Sequence, residues 1–193
     1  KMEEVVKEIA ATRGKTIDEL RGTLMSLEAR AARYYWKSFA DLVSPRQQFP
    51  GREHRGAADP VNSLLNYGYG MLYSQIWRSV VQAGLDPFAG FLHADRPGKP
   101  SMVLDLAEEF RAQMVDRVVL AFIGKGTEIK MEGDRLSEKT RRQFAQRVID
   151  RWNDTERYER KKVSLRQITL MQARRLATFL RGERRYKPFV GGW

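Results

Sequence analysis

Residues 59–82 read DPVNSLLNYGYGMLYSQIWRSVVQ, and their reading decides the fold. Asp59 before Pro60 is a helix start: an acceptor side chain at the cap, then a residue with no N–H at the first helical position. No charged residue occurs from Pro60 to Trp77, a length at which a membrane-spanning helix comes into question. Asn62, Ser63, Asn66, Ser74 and Gln75, with two glycines and three tyrosines, make the stretch too polar for lipid. It reads instead as the central, buried helix of a soluble bundle, ending near Gly84.

Working outward, every long segment has helical periodicity. Met2–Thr12 is the first. Thr16-Ile-Asp-Glu19 is a capping box, and Leu20, Leu24, Leu27, Ala31, Tyr34 and Leu42 then recur at three- and four-residue steps to about Val43. Residues 44–59, rich in Gly, Pro and Arg, form a loop long enough to be functional. Residues 85–100 are a second irregular stretch. Ser101 can cap a helix that runs through LDLAEEFR and an apolar run to Gly124. A short strand is expected over Thr127–Met131. Ser137 opens a helix with Phe144, Val148 and Trp152 stacked at four-residue spacing, and Ser164-Leu-Arg-Gln167 is a capping box before a helix whose Leu165, Ile168, Leu176 and Phe179 share a face. No repeat and no strand ladder is evident. The fold class is all-α, a single bundle of five to six helices.

Composition narrows the function. The 193 residues contain no cysteine, which excludes disulfides, thiolate zinc sites, iron–sulfur clusters and a cysteine nucleophile. That usage suits a reducing cytoplasm, where the protein is expected. There are 35 Lys and Arg against 24 Asp and Glu, so the net charge is +11. A basic chain with 42% hydrophobic residues points to a folded protein with a polyanionic partner, nucleic acid before membrane. The chain opens on Lys1 and not on methionine, so it reads as part of a longer protein.

Three places could carry chemistry. Glu28 falls about 80° from Leu20 on the helical wheel, among Met25, Ala32, Tyr35 and Phe39. A carboxylate among apolar neighbours needs a partner or a metal, the plain alternative being an ion pair with an arginine such as Arg33. His93 lies in the Gly/Pro-rich connection GFLHADRPGKP and suits a metal ligand, a general base or an ordinary surface residue. Asp105, Glu108 and Glu109 are three and four residues apart on one helix, where like charges repel unless a cation lies between them. The plain alternative is pairing with Arg111 on a solvated face. Two acids and one imidazole from three segments suit Mg²⁺ or Mn²⁺ and, in so basic a chain, phosphoryl transfer on nucleic acid. Spacing alone does not bring the three segments together.

The runs LEARAARYYW (27–36), GREHRGAADPVNSLLNYGYGMLY (51–73) and GLDPFAGFLHADRPGKPSMVLDLAEEFR (84–111), then VDR (115–117) and the closing Tyr186-Lys187-Pro188-Phe189, come in the order of a known family. The sequence resembles the C-terminal helical domain of the CRISPR-associated protein 1 family, the integrase of CRISPR spacer acquisition. The resemblance implies a helical catalytic domain over residues 1–193, with residues 1–15 the end of an interdomain linker and 186–193 a C-terminal tail. The family's N-terminal β-rich domain, through which it dimerises, has no counterpart here.

The resemblance further implies metal binding by Glu28, His93 and Glu108, with Asp105 a further acid needed for activity. Lys99 would lie near the DNA, and Arg52 and Arg55 would belong to a DNA-binding loop. The segment between His93 and Lys99 is lengthened by Arg96-Pro97 relative to some members. The implied activity is Mg²⁺- or Mn²⁺-dependent DNA cleavage and joining at the CRISPR leader–repeat boundary. The implied partners are spacer-precursor DNA, CRISPR-associated protein 2 and, for the whole protein, a second copy of itself. Casposases, transposon integrases that share this domain, are the alternative. A non-catalytic helical DNA-binding module is the other.

Overall fold

The computed structural model describes residues 1–14, 16–43, 46–54, 57–94 and 96–192. Among these, seven α-helices carry the fold: α1 (Met2–Ala11), α2 (Ile17–Val43), α3 (Pro60–Gln82), α4 (Ser101–Ala107), α5 (Arg117–Gly124), α6 (Glu138–Asn153) and α7 (Leu165–Leu180). A five-residue π-helix, Ala112–Asp116, precedes α5. No helix among the described residues is long and apolar enough to cross a membrane.

The central helix is α3. Asp59 caps it, its Oδ1 accepting from Asn62 N at 2.9 Å, with Pro60 in the first turn. Leu64, Leu65, Leu72, Ile76 and Val80 are buried, and α3 packs against α4, the π-helix and α7. Each such side chain contributes about 1.5–3 kcal/mol over an exposed one. Gly68 permits the close packing: a Cβ there would lie 2.6 Å from Val115 Cγ1. The helix is not buried all round, because Trp77 and Val81 stay exposed. Phe144, Val148 and Trp152 of α6 are buried as their spacing predicts, as are Leu165, Ile168 and Leu176 of α7, whose capping box is present. Phe179 is exposed near the end of α7, and Leu42 of α2 is 65% exposed. The inward face of α2 is the narrower set Leu27, Phe39 and Val43.

The helix expected from Ser101 to Gly124 is broken. Ser101 is its first residue and not its cap; the buried hydroxyl donates to Ala94 O at 3.2 Å. Turns replace the helix at residues 108–110, and the wide π-turns follow. This break raises the helix count from six to seven. In an unbroken helix Asp105 and Asp116, eleven residues apart, would share a face to within about 20°. The break lets them serve different neighbours.

Short strands also replace the expected absence of ladders. β1 (Met131–Glu132) pairs antiparallel with β2 (Arg135–Leu136), and β3 (Thr155–Tyr158) pairs antiparallel with β4 (Lys161–Ser164). The second hairpin turns through Glu159 and Arg160, both left-handed, with φ of 48° and 67°. Such turns favour Asn-Gly, so this pair carries no sequence signal for a hairpin. Arg160→Gly is expected to raise stability by about 0.5–1 kcal/mol, the left-handed strain removed less the chain entropy glycine adds, read as an increase in thermal midpoint.

Candidate metal centre

Arg21, Glu28 and Tyr35 stand seven residues apart on α2, so they form one stripe along the helix. Arg21 Nη2 donates to Phe91 O at 3.0 Å, and the Tyr35 hydroxyl donates to Asp116. The two contacts fasten α2 across the 90–93 loop and the π-helix. Glu28, between them, makes no ion pair with Arg33 among the described residues. It lies close enough to Glu108 to act on its charge.

Asp105 organises the loop that carries His93. Its carboxylate accepts from the backbone N–H of Phe91 at 2.6 Å, Leu92 at 3.0 Å and His93 at 3.1 Å, and from His93 Nδ1 at 2.6 Å. Burial opposes its charge, but the His93 side chain and the loop amides outweigh that and hold the carboxyl below its usual range. With an ionised acceptor against Nδ1, the ring proton belongs on Nδ1, which leaves the Nε2 lone pair for a ligand. Gly90 makes the approach possible: a Cβ there would lie 2.5 Å from Ser101 Cβ and 2.9 Å from Asp105 Oδ2.

Glu108 meets Arg111, with Oε1 at 2.8 Å from Nη1. Burial lifts the Glu108 carboxyl above its ordinary range; Arg111 and His93 pull it down, while Glu28 and Asp105 push it up. The structure thus brings Glu28, His93, Asp105 and Glu108 into one electrostatic neighbourhood. Among the described residues no three acidic or histidine side chains stand as a formed metal cage. His93 is turned to Asp105 and Glu108 to Arg111. The donor chemistry nevertheless fits a hard divalent ion: two carboxylates and one imidazole, with crowded acids whose repulsion a cation would relieve.

Glu109 belongs to a different task from its neighbours. It accepts from the Tyr186 hydroxyl, from Gln172 Nε2 at 2.8 Å and from Phe189 N at 2.9 Å, and so docks the C-terminal tail. Phe189 then stacks on Phe110, ring centroids 5.4 Å apart. The three acids do not share a solvated face, the plain alternative: they are half-buried with separate partners, of which Arg111 is the one for Glu108.

Arg52 is drawn inward. Its guanidinium donates to Asn62 Oδ1 at 3.0 Å and Asn66 Oδ1 at 2.7 Å and lies 5.2 Å from the Tyr69 ring centroid. Burial lowers its pKa. Lys99 sits half-buried in a turn closed by its N–H to Arg96 O at 2.9 Å, two residues before α4, and forms no ion pair among the described residues. Arg55 lies outside the described residues. Sequence reasoning missed Asp116, whose carboxyl burial raises and the tyrosines oppose. It accepts from Tyr35 and Tyr69. The readable signal was the seven-residue stripe on α2, obscured because Tyr35 counted as apolar.

Fold and site together define a mostly helical, strongly basic domain with an acid–histidine cluster at the meeting of α2, the 90–93 loop and α4. The model of the family described as CRISPR associated protein Cas1 matches residues 1–150, and the chain belongs to that family. It is 37% identical, over 97% of its length, to CRISPR-associated endonuclease Cas1 1 of Archaeoglobus fulgidus, of which it covers 58%. It is similar to the structure of a Cas1 protein from Thermotoga maritima, with a TM-score of 0.83 and 25% identity over 95% of this chain and 57% of that one. A casposase bound to integration product is similar at a TM-score of 0.80 and 26% identity, over 87% of this chain and 50% of the other. The chain thus spans about half the length of the relatives it matches.

Two expectations follow from the packing. Gly90→Ala forces the loop off Ser101 and Asp105, and the amides of Phe91, Leu92 and His93 should exchange hydrogen faster, by an opening cheaper by about 1–3 kcal/mol. Glu109→Ala strands three donors and should cost about 2–4 kcal/mol, with the tail after Tyr186 becoming sensitive to limited proteolysis.

Proposed function

We propose that the chain carries the active site of a divalent-metal-dependent DNA endonuclease and integrase of CRISPR spacer acquisition. The observation behind this reading is that Asp105 of α4 holds the His93 loop through the ring and three backbone amides, one turn from Glu108, whose half-buried carboxyl lies within electrostatic range of Glu28 on α2. The relatives named as CRISPR-associated endonucleases agree with it. Glu28, His93 Nε2 and Glu108 would hold Mg²⁺ or Mn²⁺. Such an ion supplies Lewis-acid polarisation of a phosphodiester at neutral pH.

The chain's own residues supply the rest. Asp105 keeps the His93 proton on Nδ1 and fixes the ring through the loop amides. Glu28 is kept in place by the Arg21 and Tyr35 contacts on either side of it. Lys99 and the surplus of basic residues hold phosphates, so binding weakens steeply with salt. The oxygen of an incoming 3′-hydroxyl displaces the 3′-oxygen of an array strand, one phosphodiester exchanged for another. Water in place of the hydroxyl gives cleavage. DNA and CRISPR-associated protein 2 are the partners this reading requires. A casposase role is the second reading, favoured by the similarity to a casposase bound to integration product; a preference for a transposon target over a leader–repeat junction would decide for it.

The test is strand transfer and cleavage on branched DNA with Mn²⁺ or chelator. Glu28→Ala and His93→Ala should each lower the metal-dependent rate by roughly 10²-fold or more. Asp105→Asn should lower it by about 10–100-fold, because it acts through His93. Equal activity in chelator would decide against the metal site; DNA binding with no chemistry here and in the full-length protein would decide for the binding module.

A further inference from the structure

Arg111 has no catalytic part in the site as drawn above, yet it is the ion-pair partner of Glu108. Its Nη1 sits 2.8 Å from Glu108 Oε1, and its Nη2 donates to the Tyr73 hydroxyl. The guanidinium carbon lies 5.0 Å from the centroid of Tyr69 and 5.7 Å from that of Tyr73. Its Nε is buried with no hydrogen-bond partner. Tyr69 is itself fixed, because its hydroxyl donates to buried Asp116. The side chain is therefore held on two aromatic rings of α3, and it gives a hydrogen bond to one oxygen of a carboxylate in the acid cluster. Its exposed fraction is 23%, against 35% for Glu108, so the pair stands at the mouth of the cluster.

From this arrangement we infer that Arg111 is the resident counter-ion of Glu108, and that a divalent ion exchanges with it, leaving a tethered guanidinium to take a phosphate oxygen of the DNA. The inference rests on the metal-site reading given above. One argument is charge. Glu28 and Asp105 each repel Glu108, and Arg111 is the cation that forms an ion pair with Glu108 among the described residues. A metal ion performs the same neutralisation, so the two compete for the same carboxylate. The other argument is geometry. Glu108 must turn from Arg111 toward Glu28 and His93 to become a ligand. Arg111 cannot follow it far, since Tyr69 and Tyr73 hold it in place. The part-exposed guanidinium then has its Nη1 free to donate to a phosphate oxygen. Arg111 is thus a positioning residue for Glu108 before metal binds and a phosphate contact afterwards.

Mn²⁺ affinity read by electron paramagnetic resonance of the free ion tests this without DNA. Arg111→Lys keeps the charge and loses the fork, so exchange predicts that it binds Mn²⁺ roughly three- to tenfold more tightly than wild type. Arg111→Gln, the second variant should the lysine form fail to fold, is expected to bind more tightly still. Both should be slower in strand transfer at saturating Mn²⁺. Unchanged or weaker Mn²⁺ binding in a folded Arg111 variant overturns the exchange, while loss of binding in Glu28→Ala leaves the metal site standing. Failure of wild type to bind Mn²⁺ overturns both.

Discussion

Asp116 is the carboxylate on which the arrangement depends. It is only 2% exposed and accepts from Tyr35 of α2 and Tyr69 of α3. An acid buried this deeply is costly unless bonded, so the two hydroxyls are obligatory and the helices that carry them are pinned to the π-helix. The consequences spread in both directions. Pinning Tyr35 sets the rotation of α2, and with it the direction of Glu28 two turns earlier. Pinning Tyr69 creates the ring on which Arg52 and Arg111 rest.

Between residues 105 and 116 four acids are given four different partners. Asp105 takes the His93 loop, Glu108 takes Arg111, Glu109 takes the tail and Asp116 takes the tyrosines. A straight α-helix could not do this, because acids three, four and eleven residues apart would crowd one face. The turns at 108–110 and the π-helix after them distribute the side chains around the axis. Irregular helical turns of this kind are common at functional sites for this reason: they change the phase of a helix without ending it.

Electrostatically the cluster is an acidic spot in a chain of net charge +11. The long-range field attracts polyanions, while the local field at Glu108 repels a phosphate until a cation has neutralised it. On the function proposed above, DNA would be drawn by the net positive charge and admitted to the centre once a cation neutralises it, so that the acids and the arginines have complementary tasks.

The helical class, the starts of α3, α6 and α7 at Asp59, Ser137 and Ser164, and the buried row Phe144, Val148 and Trp152 were legible in the sequence, because capping and periodicity are local. The acids and the histidine stood out by residue type as candidates, although type alone does not say what they bind. The hairpin of β3 and β4 was not legible, because Glu159 and Arg160 adopt left-handed conformations that their side chains do not advertise. Nor was the break after α4, around which Glu109 and Asp116 take partners 77 and 81 residues away in the chain. By itself the sequence determined which segments would be helical and which acids and histidine were candidates for a metal site. Only the tertiary structure decided that Glu28 and His93 come within electrostatic range of Glu108, that Arg52 turns inward and that Arg111 pairs with Glu108 while resting on the rings of α3, because each depends on contacts between segments that no local pattern encodes.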